Sequence, residues 1–460
     1  MSKDRGTTLW GSGTPMDERL DRYTVGDDRI LDRALIRWDI LGSMAHARGL
    51  EEAGVLTADE RRTLHRALAE ALEAAASGGL TVSERDEDVH SALEAYLVDR
   101  VGELGLKIHA GRSRNDQVQV DLRLLVKDRL VETARLAAAA AEALLDLASR
   151  HRETPLPGYT HLRRAMPSTV GLWAAGYADS LLESLDVLEA AWETADRCPL
   201  GSGAGYGVPL PLPRELVAEL LGFSRIQHTV TAAQLARGKL EATVLLCLWP
   251  LVHDLGRLAW DVVLYSADEF GFLRIPPALA TGSSIMPHKK NPDLFELTRA
   301  RAAAFQGFLA GAMAVTGGLP GGYHRDLQLT KGPLLRGLES AADMLELTAW
   351  AVPRLQVDEE RCRRAVGGEL LVTDEVFARV RRGVPFRTAY REVAEQVASG
   401  WSPPPLDTAS LLVARSSTGA AGNLGLPELR RRLAVSSDLW ERRGAEFRDR
   451  LEDLVAGGDP

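Results

Sequence analysis

The chain has 460 residues, of which 45% are hydrophobic and 26% charged, an ordinary composition for a soluble globular protein with room for two or three domains. A net charge of -9 and a pI of about 5.7 show no excess of basic residues and argue against nucleic acid as a partner. The three cysteines (Cys198, Cys247 and Cys362) lack metal-ligand spacing and fit buried thiols in a reducing compartment, so the cytoplasm is the expected location.

The first third of the chain predicts a polar start followed by helices. Residues 1–28 are polar, with only Leu9-Trp10-Gly11 to anchor them, and apolar residues then recur in helical register from Ile30 into the forties. Thr57 followed by Glu60 predicts a capping box, and Gly78-Gly79 ends that helix. Residues 88–105 are also predicted to be helical. We expect no membrane span, because no apolar run reaches the ~18 residues that one needs.

Long stretches of helical pattern follow, several of them well above the mean helix length of about 11–12 residues. They run over Asp116 to about Arg150, Thr169 to Arg197, Thr231 to Glu269, Leu294 to about Thr316 and Pro333 to Pro353. Their Ala-rich faces favour close packing, so the pattern predicts an all-α fold built on a bundle of long helices, with a kink at Pro250. Strand signals are weak everywhere. Broad Ala/Leu/Val surfaces indicate that the bundle also packs against copies of itself.

Three domains are predicted from these elements. Residues 1–112 form an N-terminal helical domain, residues 113–363 the central bundle, and residues 364–460 a small C-terminal domain with shorter helices and more turns. The loops between the long helices carry the Gly, Pro, His, Ser and Thr clusters, and functional groups are expected on such loops.

One of these loops, Thr281 to Asp293, reads Thr-Gly-Ser-Ser-Ile-Met-Pro-His-Lys-Lys-Asn-Pro-Asp. It carries two hydroxyls, two ammonium groups and an amide, at Ser283, Ser284, Lys289, Lys290 and Asn291. A base beside fixed positive charge suits the removal of a proton from carbon while cations stabilise the carbanion. For an arbitrary Ser/Lys loop, a polar turn with solvated lysines is the competing interpretation.

The loop from His109 to Gln117 opens the first long helix. The guanidinium groups of Arg112 and Arg114 can each bind a carboxylate through two parallel hydrogen bonds. Ser113, Asn115 and the free N–H groups of the helix start add hydrogen-bond donors for an anion. A well-capped helix start without a ligand has the same spacing.

Two further loops offer polar groups. In Gly158–Leu162, Thr160 could hold a carboxylate and His161 could move protons near neutral pH, although most lone histidines are structural. In Gly321–Lys331, the side chains suited to a polar amino acid are Tyr323, Gln328 and Lys331. A capped helix start with Asp326 near its cap is the alternative there.

Two other stretches favour structural interpretations. His90 and Glu94 share a helical face and resemble half of a metal site, but the set is incomplete, so we favour an ion-paired helix start. The turn Gly201-Ser-Gly-Ala-Gly205 lacks the Gly-Lys-Ser/Thr ending of a phosphate loop, and no predicted strand precedes it, so nucleotide binding is not expected.

Together these motifs resemble the argininosuccinate lyase family of the fumarase/aspartase superfamily. They lie in family order along nearly the whole chain: Leu9-Trp10-Gly11, Gly42-Ser43 with Ala45-His46-Ala47-Arg48, Glu87-Asp88-Val89-His90, Gly111-Arg-Ser-Arg-Asn-Asp-Gln117, Gly158-Tyr-Thr-His161, Pro199-Leu-Gly-Ser-Gly-Ala204, the 281–293 loop, Asp326-Leu-Gln328 with Lys331, and Gly383-Val-Pro-Phe-Arg387. The resemblance implies a three-domain all-α chain and a homotetramer whose active sites each combine loops from three subunits. It also implies a reversible β-elimination of an N-substituted succinate to fumarate and an amine, with arginine the first guess, and without a cofactor or metal.

Carried over by position, the resemblance implies a role for each candidate. Ser283 is the base that removes the Cβ proton, Lys289 and Asn291 hold the charge of the aci-carboxylate, and His161 belongs to the proton-transfer machinery. Ser113, Asn115 and Thr160 bind the substrate carboxylates, and Arg112 and Ser284 are further binding candidates. The arginine end of the substrate is bound by Tyr323, Gln328 and Lys331.

Several positions depart from the family pattern: Asp28 stands where a substrate-binding serine is usual, and the others are Arg163, Met166, the segment Leu235-Ala-Arg-Gly238 (which keeps only Arg237 of the usual residues), His288 and His324. They lie mostly around the leaving-group side, so we predict that Asp28 faces the amine. A lyase or synthase acting on another N-substituted aspartate is therefore an alternative. A catalytically silent, crystallin-like structural protein is an alternative of another class.

Overall fold

The computed structural model describes residues 17–404 and 407–457. The predicted Leu9-Trp10-Gly11 anchor, Pro405 and the ends of the first and third predicted domains lie outside the described residues.

The N-terminal part is helical, as predicted. From residue 17 onward its α-helices are α1 (Glu18–Val25), α2 (Asp28–Leu31), α3 (Ile36–Glu52), α4 (Ala58–Ala76) and α5 (Val89–Val101). The helix predicted from Ile30 is divided by a short 3-10 turn at Asp32–Ala34, and α3 is buried over most of its length. The capping box of α4 is confirmed: Thr57 Oγ1 accepts from the Glu60 N–H, and the Glu60 carboxylate accepts from the Thr57 N–H.

The central part contains the long helices and the short strands. The helices are α6 (Arg114–Arg150), α7 (Val170–Ala195), α8 (Arg214–Leu220), α9 (Val230–Leu235), α10 (Lys239–Tyr265), α11 (Asp293–Thr316) and α12 (Lys331–Ala351). The strands are β1 (Pro155–Thr160), β2 (Arg163–Thr169), β3 (Leu273–Arg274), β4 (Thr281–Gly282), β5 (Lys290–Asn291) and β6 (Gln356–Val357). They pair antiparallel as β1–β2, β3–β6 and β4–β5.

Helix α6 packs along α7, α12 and α17 (Leu426–Ala456), and α10 packs along α7, α11 and α12. Small residues line α6 at these contacts, with Ala137, Ala140, Ala141 and Ala148 fully buried, so the helix axes approach closely. The predicted all-α bundle is confirmed.

The prediction of one helix from Thr231 to Glu269 is wrong, because the chain breaks between α9 and α10. Gly238 has a φ of 74° there, and a Cβ on it would lie 1.9 Å from Thr316 Cγ2 at the end of α11. Only glycine fits such a position. Helix α10 then continues through Pro250.

The weak strand signals missed the β1–β2 hairpin, which stands between α6 and α7. It pairs Pro155 with Thr169 at its base and Thr160 with Arg163 at its tip. The hairpin matters for function because His161 lies in its turn.

Helix α13 (Glu359–Arg364) ends the central part, and the last region holds α14 (Val372–Arg381), α15 (Phe386–Ala398), α16 (Thr408–Ala414) and α17. The expectation of short helices is wrong for α17, whose 31 residues return to the main core through Trp440, Phe447 and Leu451. Only α14 and α15 share a separate small core, around Val376, Ala389 and Val393. The three-domain division stays a prediction.

Of the described helices, α10 alone is long and apolar enough to span a membrane by length and mean hydropathy, and half of the qualifying window is buried in the protein. The expectation of no span rested on uninterrupted apolar runs. The core helix of a soluble protein passes the same test.

Candidate active site

The 281–293 loop is a hairpin at the start of α11. Strands β4 and β5 pair Thr281 with Asn291 and Gly282 with Lys290, and the Thr281 hydroxyl donates to the Asp293 carboxylate at the helix start. Ser284, Lys289 and Lys290 are exposed. The hairpin is therefore held at its base while its tip stands out from the chain.

Ser283 lies at the first turn of that tip, half-buried, and its Oγ accepts from the N–H groups of Ile285 at 3.3 Å and Met286 at 3.1 Å. Donors aimed at a hydroxyl oxygen stabilise its deprotonated form. Asn291 Nδ2 lies 3.5 Å from the Gly282 carbonyl oxygen, which ties the amide to the residue beside Ser283. The arrangement suits a serine that acts as a base.

His161 and Leu162 form the two-residue turn of the β1–β2 hairpin, with φ values of 55° and 57°. They are the only non-glycine residues with positive φ in the described parts of the chain. Such a turn usually carries Asn-Gly, and a branched side chain there stores strain. His161 is exposed at the tip, next to Thr160, so strain and exposure coincide at the predicted proton-transfer residue.

The start of α6 holds the predicted carboxylate binders. Ser113 caps the helix, its Oγ accepting from the Asn115 N–H at 3.3 Å. Arg112, also predicted to contact substrate, is buried: its Nη1 donates to Ser43 Oγ at 2.9 Å. This position fits a role in holding the loop better than a direct contact with substrate.

The residues predicted for the amine side lie together. Lys331 Nζ contacts Asp28 Oδ1 at 3.0 Å and also Asp32, and all three side chains are largely buried. Burial raises the pKa of Asp28 to about 6, while the Lys331 ammonium opposes that shift. The Lys331 ammonium therefore lies between two carboxylates, and the buried Arg237 guanidinium also interacts with Asp28.

Gln328 and Tyr323 complete this group. Gln328 Nε2 donates to the carbonyl oxygens of Thr24 at 3.0 Å and Val25 at 2.8 Å, which holds the turn before Asp28. The Arg237 guanidinium lies 5.3 Å from the centre of the Tyr323 ring. Arg237, kept from the family pattern, therefore belongs to the amine side.

Within one chain, the candidate residues form two groups at opposite ends of the bundle. Ser283, Lys289, Asn291 and His161 lie at the end where α7 and α11 start. The residues of the start of α6 and of 321–331 lie at the other end, where α10 and α12 start. Because α11 has 24 residues, the two ends are separated by roughly 36 Å.

A buried cluster of Asp39, His90 and Asp121 has its ligand atoms within 4.8 Å of one another and could be read as a metal site. His90 Nδ1 lies 2.9 Å from Asp39 Oδ1 and 3.9 Å from Asp121 Oδ2. Burial alone would lower the pKa of His90, but Asp39, with Asp88 and Asp121, raises it to about 9. Burial and Asp39 raise the pKa of Asp121 well above its ordinary value, and the His90 imidazolium and the Arg112 guanidinium oppose that rise.

The ion-paired helix start predicted for this stretch is confirmed. Asp88 caps α5 by accepting from the Ser91 N–H, and Arg114 pairs with Glu87 at 2.6 Å and with Asp88 at 3.2 Å. The sequence reasoning missed Asp32, Asp39 and Asp121. All three are buried, but polar residues such as Arg33, Arg37 and Gln119 lie close to them in the sequence, so no local pattern marked them.

Comparison with known proteins places the chain among lyases. A family model described as lyase matches residues 14–307. An argininosuccinate lyase of Sorangium cellulosum is 48% identical over 92% of this chain and 98% of that protein. One of Thermotoga neapolitana is 41% identical over 84% of this chain and 98% of that protein.

The fold is shared with solved structures of lower identity. A variant of EDDS lyase with bound fumarate matches with a TM-score of 0.76 and 23% identity, covering 96% of this chain and 97% of that one. A class II fumarase from Schistosoma mansoni matches with a TM-score of 0.71 and 17% identity, covering 85% and 91%.

Proposed function

Since this chain belongs to the argininosuccinate lyase family and is a fumarate-forming carbon–nitrogen lyase, we propose that it splits an N-substituted succinate by β-elimination, with arginine as the amine that leaves. In that direction the reaction would serve arginine biosynthesis. The curated relatives carry the name of an enzyme, so the silent structural protein has no support.

The observation that carries the proposal is the pair of N–H groups on Ser283 Oγ. In the proposed step Ser283, already deprotonated at Oγ, takes the proton from the substrate Cβ, and the electron pair of the broken C–H bond moves into the neighbouring carboxylate as an aci-carboxylate. Lys289 and Asn291 stabilise that charge. The Cα–N bond then breaks, fumarate forms and the amine leaves, with His161 in the proton-transfer machinery.

The remaining candidates bind substrate in this proposal. Ser113, Asn115, Thr160 and Ser284 hold the carboxylates of the succinate half, and the other half contacts Tyr323, Gln328, Lys331 and Asp28. Fumarate formation from argininosuccinate, followed by its ultraviolet absorbance in wild type and in Ser283→Ala, tests the assignment.

The separation of the two groups supports an assembly in which neighbouring chains complete each site. A substrate cannot contact residues at both ends of one bundle, whereas copies packed in opposite directions would bring the two ends together. The outer faces of α10, α11 and α12 expose large apolar side chains: Leu246, Trp260, Leu297, Met313, Leu347 and Trp350. We infer a homotetramer with shared sites.

Another N-substituted aspartate is the second candidate substrate. Asp28 favours this alternative because it pairs with Lys331. The Lys331 ammonium is then less able to bind a carboxylate on the amine half of the substrate. The cytoplasm is the inferred location, since Cys198, Cys247 and Cys362 are free and buried, as suits a reducing compartment.

A further inference from the structure

Asp116 joins two loops that are far apart in the sequence. Its Oδ1 accepts from the Ser113 N–H at 2.8 Å within the start of α6. Its Oδ2 accepts from the N–H groups of Gly201 at 3.0 Å and Gly203 at 2.8 Å. One carboxylate thus binds three N–H groups from both loops.

The glycine-rich turn is shaped for this contact. Gly201 and Gly203 have φ values of 82° and 60°, which glycine adopts without strain. Their N–H groups can therefore both face the same oxygen, although one residue separates them.

The same turn continues toward the amine side. A Cβ on Gly205 would lie 2.5 Å from Gln234 Cγ, and a Cβ on Gly322 would lie 3.7 Å from the Tyr206 hydroxyl. The turn therefore lies between the start of α6 and the 321–331 segment.

A charged carboxylate suits this position better than any neutral side chain of its size. Burial raises the pKa of Asp116 to about 6, while the N–H groups of Ser113, Gly201 and Gly203 and the Arg112 guanidinium oppose that rise, so the carboxylate is still mostly charged at neutral pH. An asparagine would present an NH₂ group to at least one of the three N–H donors and leave that donor unpaired in the interior.

We propose that Asp116 is a positioning residue for the elimination: by holding the glycine-rich turn against the start of α6, it fixes Ser113 and Asn115 for the substrate carboxylate. This inference rests on the proposed function, which makes those two residues carboxylate binders. Asp116 itself does not touch the substrate.

Fumarate binding to the intact assembled protein, measured by titration calorimetry, tests this role without turnover. Asp116→Asn is expected to weaken fumarate binding roughly tenfold to a hundredfold, the range for one lost hydrogen bond to a charged group. Asn115→Ala is expected to do the same. Because Asp116 acts partly through Asn115, Asp116→Asn should weaken fumarate binding less in a protein that already carries Asn115→Ala than in the wild type.

Asp407→Asn is the matched control. Asp407 caps α16 in the C-terminal region, accepting from the Ser410 N–H at 2.9 Å, so its loss removes a cap without touching either loop. It should leave fumarate affinity unchanged.

Gly203→Ala disturbs the same contact by changing the glycine-rich turn instead of the carboxylate. It therefore tests the proposal if Asp116→Asn fails to fold. Its φ of 60° disfavours alanine, and the new Cβ would lie 3.2 Å from Val208 Cγ1. Unchanged fumarate affinity in both variants, or losses that multiply with Asn115→Ala, would overturn the proposal. A wild-type protein that binds fumarate but forms none from argininosuccinate would instead overturn the proposed substrate and leave this test standing.

Discussion

Ser283 and Tyr323 lie at opposite ends of α11. Thr281, two residues before Ser283, donates to Asp293 at the first turn of the helix. Tyr323 follows the last turn and packs under Arg237, next to the glycine that contacts Thr316. A base and an amine-binding residue placed so far apart cannot meet on one small substrate in one chain.

Mixing inactive variants should therefore restore activity. Ser283→Ala and Asn115→Ala change opposite ends of the bundle, so a hybrid assembly contains some sites that take an intact loop from each parent. Co-expression should give fumarate formation well above either variant alone. Pairing Ser283→Ala with Asn291→Ala is the control, because both changes lie in one hairpin and no hybrid site is intact. Equal activity in the two mixtures would contradict shared sites.

Ser283→Ala should lower the elimination rate by roughly 10²–10⁴-fold, the usual contribution of a positioned base. Ser284→Ala, one residue on, should act mainly on KM, since its hydroxyl is assigned to binding. Initial rates of fumarate absorbance across substrate concentrations separate kcat from KM. A Ser283→Ala protein with the wild-type rate would refute the assignment of the base.

Asp28→Asn should reduce the preference for cationic amines. In wild type Asp28 adds a negative charge beside the Lys331 ammonium, and its loss makes the group more positive and so less favourable to a cationic amine. The preference is measured as the rate of addition of arginine to fumarate divided by the rate for a neutral amine of similar size. That ratio should fall by roughly tenfold, a size typical of one charge interaction shielded from water.

Asp27→Asn is the matched control for Asp28, because Asp27 is exposed and lies 3.5 Å from Arg336. Its ratio should equal that of the wild type. A ratio that stays constant in Asp28→Asn would place this residue outside the amine site.

His90 should make stability depend on pH. Its folded pKa of about 9 lies above the ordinary value of 6.5, so its contribution is present in full below pH 6.5 and is lost as the pH rises through 9. The loss is on the order of 3 kcal/mol. Urea unfolding at pH 6 and at pH 9.5 should show this decline in wild type and a smaller one in His90→Gln. Equal declines would show that His90 is not charged in the folded protein.

Leu162→Gly should be more stable than Leu162→Ala by about 1 kcal/mol, because only glycine adopts the positive φ of this turn without strain. Leu162 is 75% exposed, so both variants lose little buried surface. Thermal unfolding compares them. Identical melting temperatures would mean that the turn carries no strain.

The sequence predicted the long helices well because their patterns are local. Thr57 and Glu60 identify a capping box by spacing alone, and α11 and α12 begin and end within about two residues of the predicted bounds. The break at Gly238 was missed because its cause, the contact with Thr316, depends on packing between distant segments.

The sequence predicted which residue types the candidate site contains but not how those residues are arranged in space. The turn of the β1–β2 hairpin carries His161-Leu162 in place of Asn-Gly, so no local signal marked it. The burial of Arg112 follows from Ser43 and the acids around it, which only the folded chain brings together.

The strained turn at His161 implies that this hairpin keeps a fixed backbone conformation at the expense of folding stability. Replacing Leu162 by glycine would relax the backbone there and raise thermal resistance. Heat-tolerant laboratory mutants that change this turn should therefore be tested first for lost activity.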